Sequence, residues 1–194
     1  RVAQMANLTL AGLEIESFSL TRSTLDPQDA AQPVLFLDIG SLSSSVAVFD
    51  DGFLRIVHNV GASSTDLMRA CARALGTDID RARAQYQAYG LYASGGDTEI
   101  VTAYLPLLEA LSRDIERVFS AYWRSSTRQV SRVLLSGGAA VLKGLDHYLS
   151  SRLRVPVEIV NPLARLAMPK DLAPAASLIG PPLANAVGLA MKEI

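Results

Sequence analysis

The sequence predicts an α/β fold, a mixed sheet flanked by helices, and three observations point to it. Short apolar runs follow one another between residues 34 and 60, as in a strand meander, and helical patterns come after them. Apolar residues step by three and four from Val101 to Tyr122, the stripe of one long helix. Two apolar runs end in glycine turns, Asp38-Ile39-Gly40 and Ser136-Gly137-Gly138.

Composition bounds the possibilities. With 194 residues, 49% apolar and 19% charged, the chain suits one ordinary domain or two small lobes sharing a core. Lys plus Arg number 18 against 19 for Asp plus Glu, a net charge of -1. That balance leaves no basic footprint, so nucleic acid is not an expected partner. The lone cysteine, Cys71, excludes an internal disulfide framework and a cysteine-built zinc site, and it fits a reducing compartment. No membrane span is expected, on the view that charges interrupt the apolar runs before the roughly 20 residues a span needs. Arg1 to Leu13 lacks a signal-peptide pattern and reads as the inside of a longer protein.

In chain order, Val2 to Leu13 reads as a helix stopped at Gly12, and Leu13, Ile15, Phe18 and Leu20 as a strand. Ser23 to Pro33 is a polar connector. Val34 to Ile39, Ser45 to Phe49 and Phe53 to Val60 form the meander, with Asp51-Gly52 as a hairpin turn. Ser63, Ser64 or Thr65 can cap a helix through Leu67, Met68, Cys71 and Leu75 that Gly76 stops. Asp78 can cap the next, which ends near Gly90. Gly95-Gly96-Asp97 suggests a flexible junction. The helix after it should bury Val101, Tyr104, Leu108, Leu111, Ile115, Val118 and Tyr122, with Pro106 kinking it or lying in its first turn. Val130 to Leu135 reads as a strand, Val141 to Leu153 as a helix and Val155 to Val160 as a short strand closed by Asn161-Pro162. Leu183 to Lys192 is a small-residue terminal helix.

Chemistry concentrates at the two glycine turns. A carboxylate at a strand end, here Asp38, can hold Mg²⁺ through water, while Gly40 lets backbone N–H groups approach a phosphate and Ser43 and Ser44 offer hydroxyls. Gly137-Gly138 permits close approach of a phosphate or a flat ligand face next to a helix start. Each turn alone reads more simply as an ordinary connection. The second is neither a Walker loop nor a dinucleotide fingerprint, lacking the Lys-Ser/Thr pair and the third glycine. His58 and His147 lie far apart without acids at metal spacing, and Cys71 sits on an apolar helix face. Arg113, Asp114, Glu116 and Arg117 form a solvated helix face.

Taken in order, VLFLDIGSLSSSVAVFDDG, LLSGGAAVLKGLDHYLSSRLRVPVEIVNPL and IGPPLANAVGLAMKEI resemble the actin-like (ribonuclease H-like) fold, and within it the PilM family of type IV pilus assembly proteins. The resemblance implies a partial chain. Residues 1–32 would end the upstream 1C and 1A subdomains, and 33–194 would form subdomain 2, its 2A part carrying a helical 2B-like insertion at about 77–100. It places Asp38, Gly40, Ser43 and Ser44 in the second phosphate loop and Gly137 and Gly138 in the adenosine loop, with ATP and Mg²⁺ as cofactors. Nothing in the chain corresponds to the family's first phosphate loop. Arg83 and Tyr86 stand where the family tends to place an acid and a lysine before the Tyr-Gly pair, here Tyr89-Gly90, so nucleotide binding is expected to be altered.

The function implied is that of a cytoplasmic scaffold peripheral to the inner membrane. It would bind the N-terminal cytoplasmic tail of a PilN-like protein and couple to platform and motor proteins, without inserting into the bilayer. Two other functions share the superfold: the cytoplasmic domain of a type II secretion protein, and a sugar- or acetate-kinase lobe. The kinase would need a base near the γ-phosphate, and none is evident beyond Asp38. The Asn161-Pro162 and Ile179-Gly180-Pro181 contexts favour the pilus family over a cell-division homologue.

Overall fold

The computed structural model describes residues 1–26, 31–91 and 98–192. Five strands, β1 (Val34–Ile39), β2 (Ser44–Asp50), β3 (Phe53–Val60), β4 (Arg132–Ser136) and β5 (Val157–Ile159), form one sheet in the order β3-β2-β1-β4-β5. The meander β1-β2-β3 is antiparallel, while β4 and β5 add parallel to β1. The sheet is therefore mixed, as the sequence predicts. Asp51 and Gly52 both have positive φ, 51° and 79°, the backbone a two-residue hairpin needs.

Seven α-helices, α1 (Val2–Met5), α2 (Glu16–Thr24), α3 (Ser64–Ala74), α4 (Ile79–Tyr89), α5 (Thr98–Ser126), α6 (Leu145–Leu153) and α7 (Ala176–Ala190), and two short 3-10 helices, Pro162–Arg165 and Lys170–Ala175, complete the described residues. The central strand β1 is apolar on both sides and separates two cores. Leu35, Leu37 and Ile39 pack with α3 to α6, whereas Val34 and Phe36 pack with α2 and α7. In α5 the stripe Tyr104, Leu108, Leu111, Ile115, Val118 and Tyr122 is buried, Val101 is half-buried, and the exposed Pro106 lies within a helix that continues on both sides. The far end of α5 is fastened by the buried Asp50, which accepts the Tyr122 hydroxyl at 2.6 Å and pairs with Arg128. Ser63 caps α3 in a reciprocal box with Asp66, and Asp78 caps α4. Gly95-Gly96-Asp97 lies outside the described residues.

Four expectations are corrected. The helix expected from Val2 to Leu13 is the single turn α1, whose residues bury nothing that would sustain more. The strand expected from Leu13 to Leu20 is mostly helix α2. Its buried residues are Ser17, Ser19, Leu20 and Ser23, so serines carry its inward stripe while Phe18 is exposed. These hydroxyls bond their own helix, Ser19 to Glu16 O at 2.8 Å and Ser23 to Leu20 O at 3.1 Å, which lets them be buried. Helix α6 starts at Leu145 rather than Val141, because Gly144 adopts φ 84° and residues before it turn back on themselves.

The fourth correction is at the C-terminus. Residues 172 to 191 contain no charge, so the view that charges interrupt every apolar run does not hold there. Asp171–Ala190 is long and apolar enough to cross a membrane by length and composition. In the fold it packs through one side only, and most of it is exposed. Helix α7 starts at Ala176, holds Pro181 and Pro182 within it, and buries Gly180, Pro181, Ala184, Val187 and Gly188, with Leu178, Leu183 and Leu189 on its exposed side.

The crossing of α2 and α7 is very close. A Cβ on Gly188 would come 1.8 Å from the Ser19 carbonyl oxygen. Arg22 then donates to Gly188 O at 2.6 Å and pairs with Glu14 at 2.8 Å, and Lys192 pairs with Glu14 at 3.0 Å. Helix propensity alone favours Ala over Gly by about 1 kcal/mol. Overpacking at this crossing works the other way and is worth about 1–3 kcal/mol. Gly188→Ala should therefore lower the melting temperature in a thermal scan. A raised one would show that the helices are not held this tightly.

Candidate functional site

Strands β1 and β4 run parallel, so their C-terminal ends open on the same edge, where ligands of open α/β sheets bind. The register sets Asp38 opposite Ser136. The Ser136 hydroxyl donates to Asp38 Oδ1 at 3.0 Å. The Asn185 amide of α7 donates to Asp38 Oδ2 at 2.7 Å, and its Oδ1 accepts the Ser19 hydroxyl of α2 at 3.1 Å. Burial pushes the Asp38 carboxyl above the usual aspartate range, and the donors Ser136 and Asn185 offset only part of that rise.

The glycines bring the two turns together. Gly137 has φ 86°, and a Cβ there would lie 2.4 Å from Ile39 O and 2.6 Å from Asp38 Oδ1. Ala139 N–H donates to Ile39 O at 3.2 Å, stitching the second turn to the first. Gly138 lies against the start of α3, its added Cβ 3.3 Å from Ser64 Oγ. Gly40 closes the first turn with an N–H to Ser43 O at 3.1 Å, and a Cβ there would come 2.7 Å from that same oxygen. Asp38, Gly40, Gly137 and Gly138 thus share one edge of the sheet.

Ser43 is exposed on the first turn. Ser44 is buried, and its hydroxyl donates to Ala62 O, so its proton is committed to holding β2 to the chain before α3. The helix start beside the glycine pair belongs to α3 rather than α6. Its first amides are already used, Ser64 N–H bonding Gly40 O at 2.9 Å and Thr65 N–H bonding Ser41 O at 3.3 Å. Asn185 escaped sequence reasoning; its signal was a single amide among the small apolar residues Leu183, Ala184, Ala186 and Val187.

Arg83 and Tyr86, which stand where the resemblance places an acid and a lysine, differ in their surroundings. Arg83 is exposed, but Tyr86 is a core residue, its ring edge-to-face with Tyr104 at 6.3 Å between centroids. Burial raises the pKa of both phenols far above the usual tyrosine value.

Asp38 supplies one carboxylate, and no group of three metal-ligating side chains occurs among the described residues. That suits Mg²⁺, which keeps most of its waters and takes one or two carboxylates together with phosphate oxygens. Gly137 and Gly138 let the second turn pack directly against Ile39, Asp38 and Ser64, which leaves backbone rather than side chains at this edge of the sheet, where a phosphate or a nucleoside face can approach. The residues present fit one wall of a nucleotide site.

The model of the family described as type IV pilus assembly protein PilM matches residues 1–194. Among solved structures, the chain is similar to the PilM–PilN type IV pilus biogenesis complex, with TM-score 0.80 and 26% identity over 97% of this chain and 54% of that one. It shares its fold with the ethanolamine utilization protein EutJ of Carboxydothermus hydrogenoformans, with TM-score 0.70 and 20% identity over 98% and 58% of the two chains. The same holds for MreB5 of Spiroplasma citri bound to ADP, with TM-score 0.67 and 11% identity over 98% and 62%. The chain spans little more than half the length of these relatives. By fold it is actin-like, and by the match over its whole length it belongs to the PilM family of type IV pilus assembly proteins.

Proposed function

We propose that the intact protein is a cytoplasmic, actin-like scaffold of type IV pilus assembly, held at the inner membrane by gripping the N-terminal cytoplasmic tail of a PilN-like protein. The family match over residues 1–194 carries this reading, and the solved relative described as a PilM–PilN complex supports the choice of partner. In this reading residues 1–32 end the upstream subdomains, and 33–194 form subdomain 2 with its helical insertion at about 77–100. ATP with Mg²⁺ would serve as a structural ligand or switch on the wall formed by Asp38, Gly40, Ser43, Gly137 and Gly138.

Each residue has a definable part. Asn185 and Ser136 fix the direction in which the Asp38 carboxylate points. Gly137 and Gly138 let the second turn lie close against Ile39, Asp38 and Ser64. The Ser43 hydroxyl is exposed to meet a phosphate oxygen. When bound, Mg²⁺ would neutralise phosphate charge beside Asp38 through its water shell. Because Asn185 also bonds Ser19, Asp38 is physically connected to the α2–α7 crossing.

The raised pKa of Asp38 has a consequence for stability. The folded protein binds the Asp38 proton more tightly than the unfolded chain does, so this group's contribution is fully present below the ordinary aspartate pKa, about 3.9. It is lost as pH rises through the raised value. Asp38→Asn removes the buried charge. Thermal melts at a series of pH values should show the variant gaining stability relative to wild type on going from about pH 4 to about pH 7; a constant difference would contradict the burial of this carboxylate.

For nucleotide binding, Gly137 is a poor target because any side chain there would strike the backbone of Ile39. Tyr86→Lys is equally unsuitable, since it would bury an amine in the core. Asp38→Asn and Gly138→Val are better probes. In calorimetry on the intact protein, Asp38→Asn should abolish the Mg²⁺ dependence of ATP binding, and Gly138→Val, by adding a branched side chain beside Ser64, should weaken binding about tenfold or more. Binding unchanged in both variants would rule out this wall. The 194-residue chain should show no measurable hydrolysis.

A labelled peptide from the N-terminal tail of the PilN-like partner should bind the intact protein and only weakly the 194-residue chain, because the family's peptide groove draws on the upstream subdomain. Equal affinity by fluorescence titration would place the groove within this chain instead.

A further inference from the structure

At the opposite end of the sheet from Asp38, the C-terminal ends of α5 and α6 flank the entry to β4 and enclose a groove of about 320 Å³. Phe119, Val130, Leu153 and Val155 form its apolar lining, and Trp123 stands at its edge, 58% exposed. The walls are set by backbone geometry. Thr127, at φ 57°, follows the end of α5 with its N–H on Trp123 O at 3.1 Å. Arg154, at φ 58°, closes α6 with its N–H on Ser150 O at 2.9 Å, and the Ser150 hydroxyl holds Val155 O at 3.0 Å. A groove fixed in this way has little ordering cost to meet when it is filled.

Its charge has one sign. From Arg117 to Arg132 the chain carries four arginines and no acid. Arg117 pairs with Asp114 at 2.8 Å, Arg152 with Glu116 at 3.1 Å, and Arg128 with the buried Asp50. Arg124 and Arg154 have no ion pair among the described residues, and both are exposed; Arg154 lines the groove, while Arg124 lines the neighbouring hollow that shares Ser120 with it. The helix C-termini contribute about half a negative charge each, so two free guanidiniums leave the rim positive. Capping helix ends would account for the arginines alone. It would not account for an exposed tryptophan beside them, the combination that dominates protein interfaces.

The position separates this face from the nucleotide wall. Helices α5 and α6 pack on the sheet face opposite the one that α2 and α7 cover. We propose that the groove docks an acidic peptide segment of a partner protein. An apolar side chain of the segment lies on Trp123, and its carboxylates meet Arg124 and Arg154, pairing that is bidentate by preference. This site is distinct from the one proposed for the membrane partner's tail and does not depend on the nucleotide reading.

The test uses the intact protein and an array of labelled peptides of about ten residues, each with one Phe, Leu or Trp among Glu and Asp, beside copies with Lys in place of the acids. Acidic members should bind, and raising NaCl from about 0.05 M to about 0.3 M should weaken them, as the Debye length falls. Trp123→Ala and the pair Arg124→Glu with Arg154→Glu should each reduce affinity about tenfold or more. Arg73→Glu, exposed on α3, should leave it unchanged. Failure of every acidic peptide to bind, equal binding of acidic and basic sets, or indifference to the substitutions would overturn the proposal. It would also be overturned if Trp123→Ala abolished self-association in ultracentrifugation, or binding to phosphatidylserine vesicles, while leaving the peptides alone.

Discussion

Two strands that run parallel and end level must send their following turns past each other, and here the register of Asp38 against Ser136 makes that passage very tight. A side chain at residue 137 would strike both Ile39 O and the Asp38 carboxylate, so the position takes glycine in a left-handed backbone. With the turns this close, Ala139 can bond Ile39, Gly137 N–H can bond Pro181 O at 3.1 Å, and α7 is drawn to the same edge. Only then does Asn185 reach Asp38. The carboxylate is therefore addressed by β4 and α7, and through Asn185 by α2, because one strand pairing put their ends in the same place.

That arrangement stores a tension. A carboxyl whose pKa is raised by burial is less stable as an anion than it would be in water, and its two donors return only part of the difference. Such perturbed groups cluster where a protein meets a ligand. The α2–α7 crossing lies at the other end of the same hydrogen-bond chain, close enough that Gly188 touches Ser19. Asp38 is thus connected through Asn185 to the helix pair packed on that face of the sheet. The opposite face is quieter. There α5 runs along the core and is tied down through Asp50, Tyr122 and Arg128, which fixes the groove around Trp123 without reference to the cleft.

The C-terminal run combines a span-like composition with one packed side. Twenty uncharged residues satisfy the arithmetic of a bilayer span. On the packed side, glycines and alanine let α7 approach α2 and the sheet closely, and two prolines sit inside the helix while Pro181 offers its carbonyl to Gly137.

By itself the sequence determined the strand meander, the hairpin at Asp51-Gly52, the cap at Asp78, the buried stripe of α5 and the two glycine turns, and it narrowed the cap of α3 to Ser63, Ser64 or Thr65. Each depends on residues near one another in the chain, through periodicity, a side-chain cap or a forced φ. The resemblance read from Asp38, Gly137, Lys143-Gly144 and Asn161-Pro162 led to the right family because those local signals occur in the right order. Tertiary structure decided the rest. Helix α2 exists because serines can pack against Gly188, and a sequence window scores serines as polar. Tyr86 is buried because Tyr104 lies against it, 18 positions away in the chain. Ser44 turned inward to Ala62, leaving Ser43 exposed. Asn185 became a partner of Asp38 across 147 residues, a distance at which only the folded sheet could bring an amide and a carboxylate together.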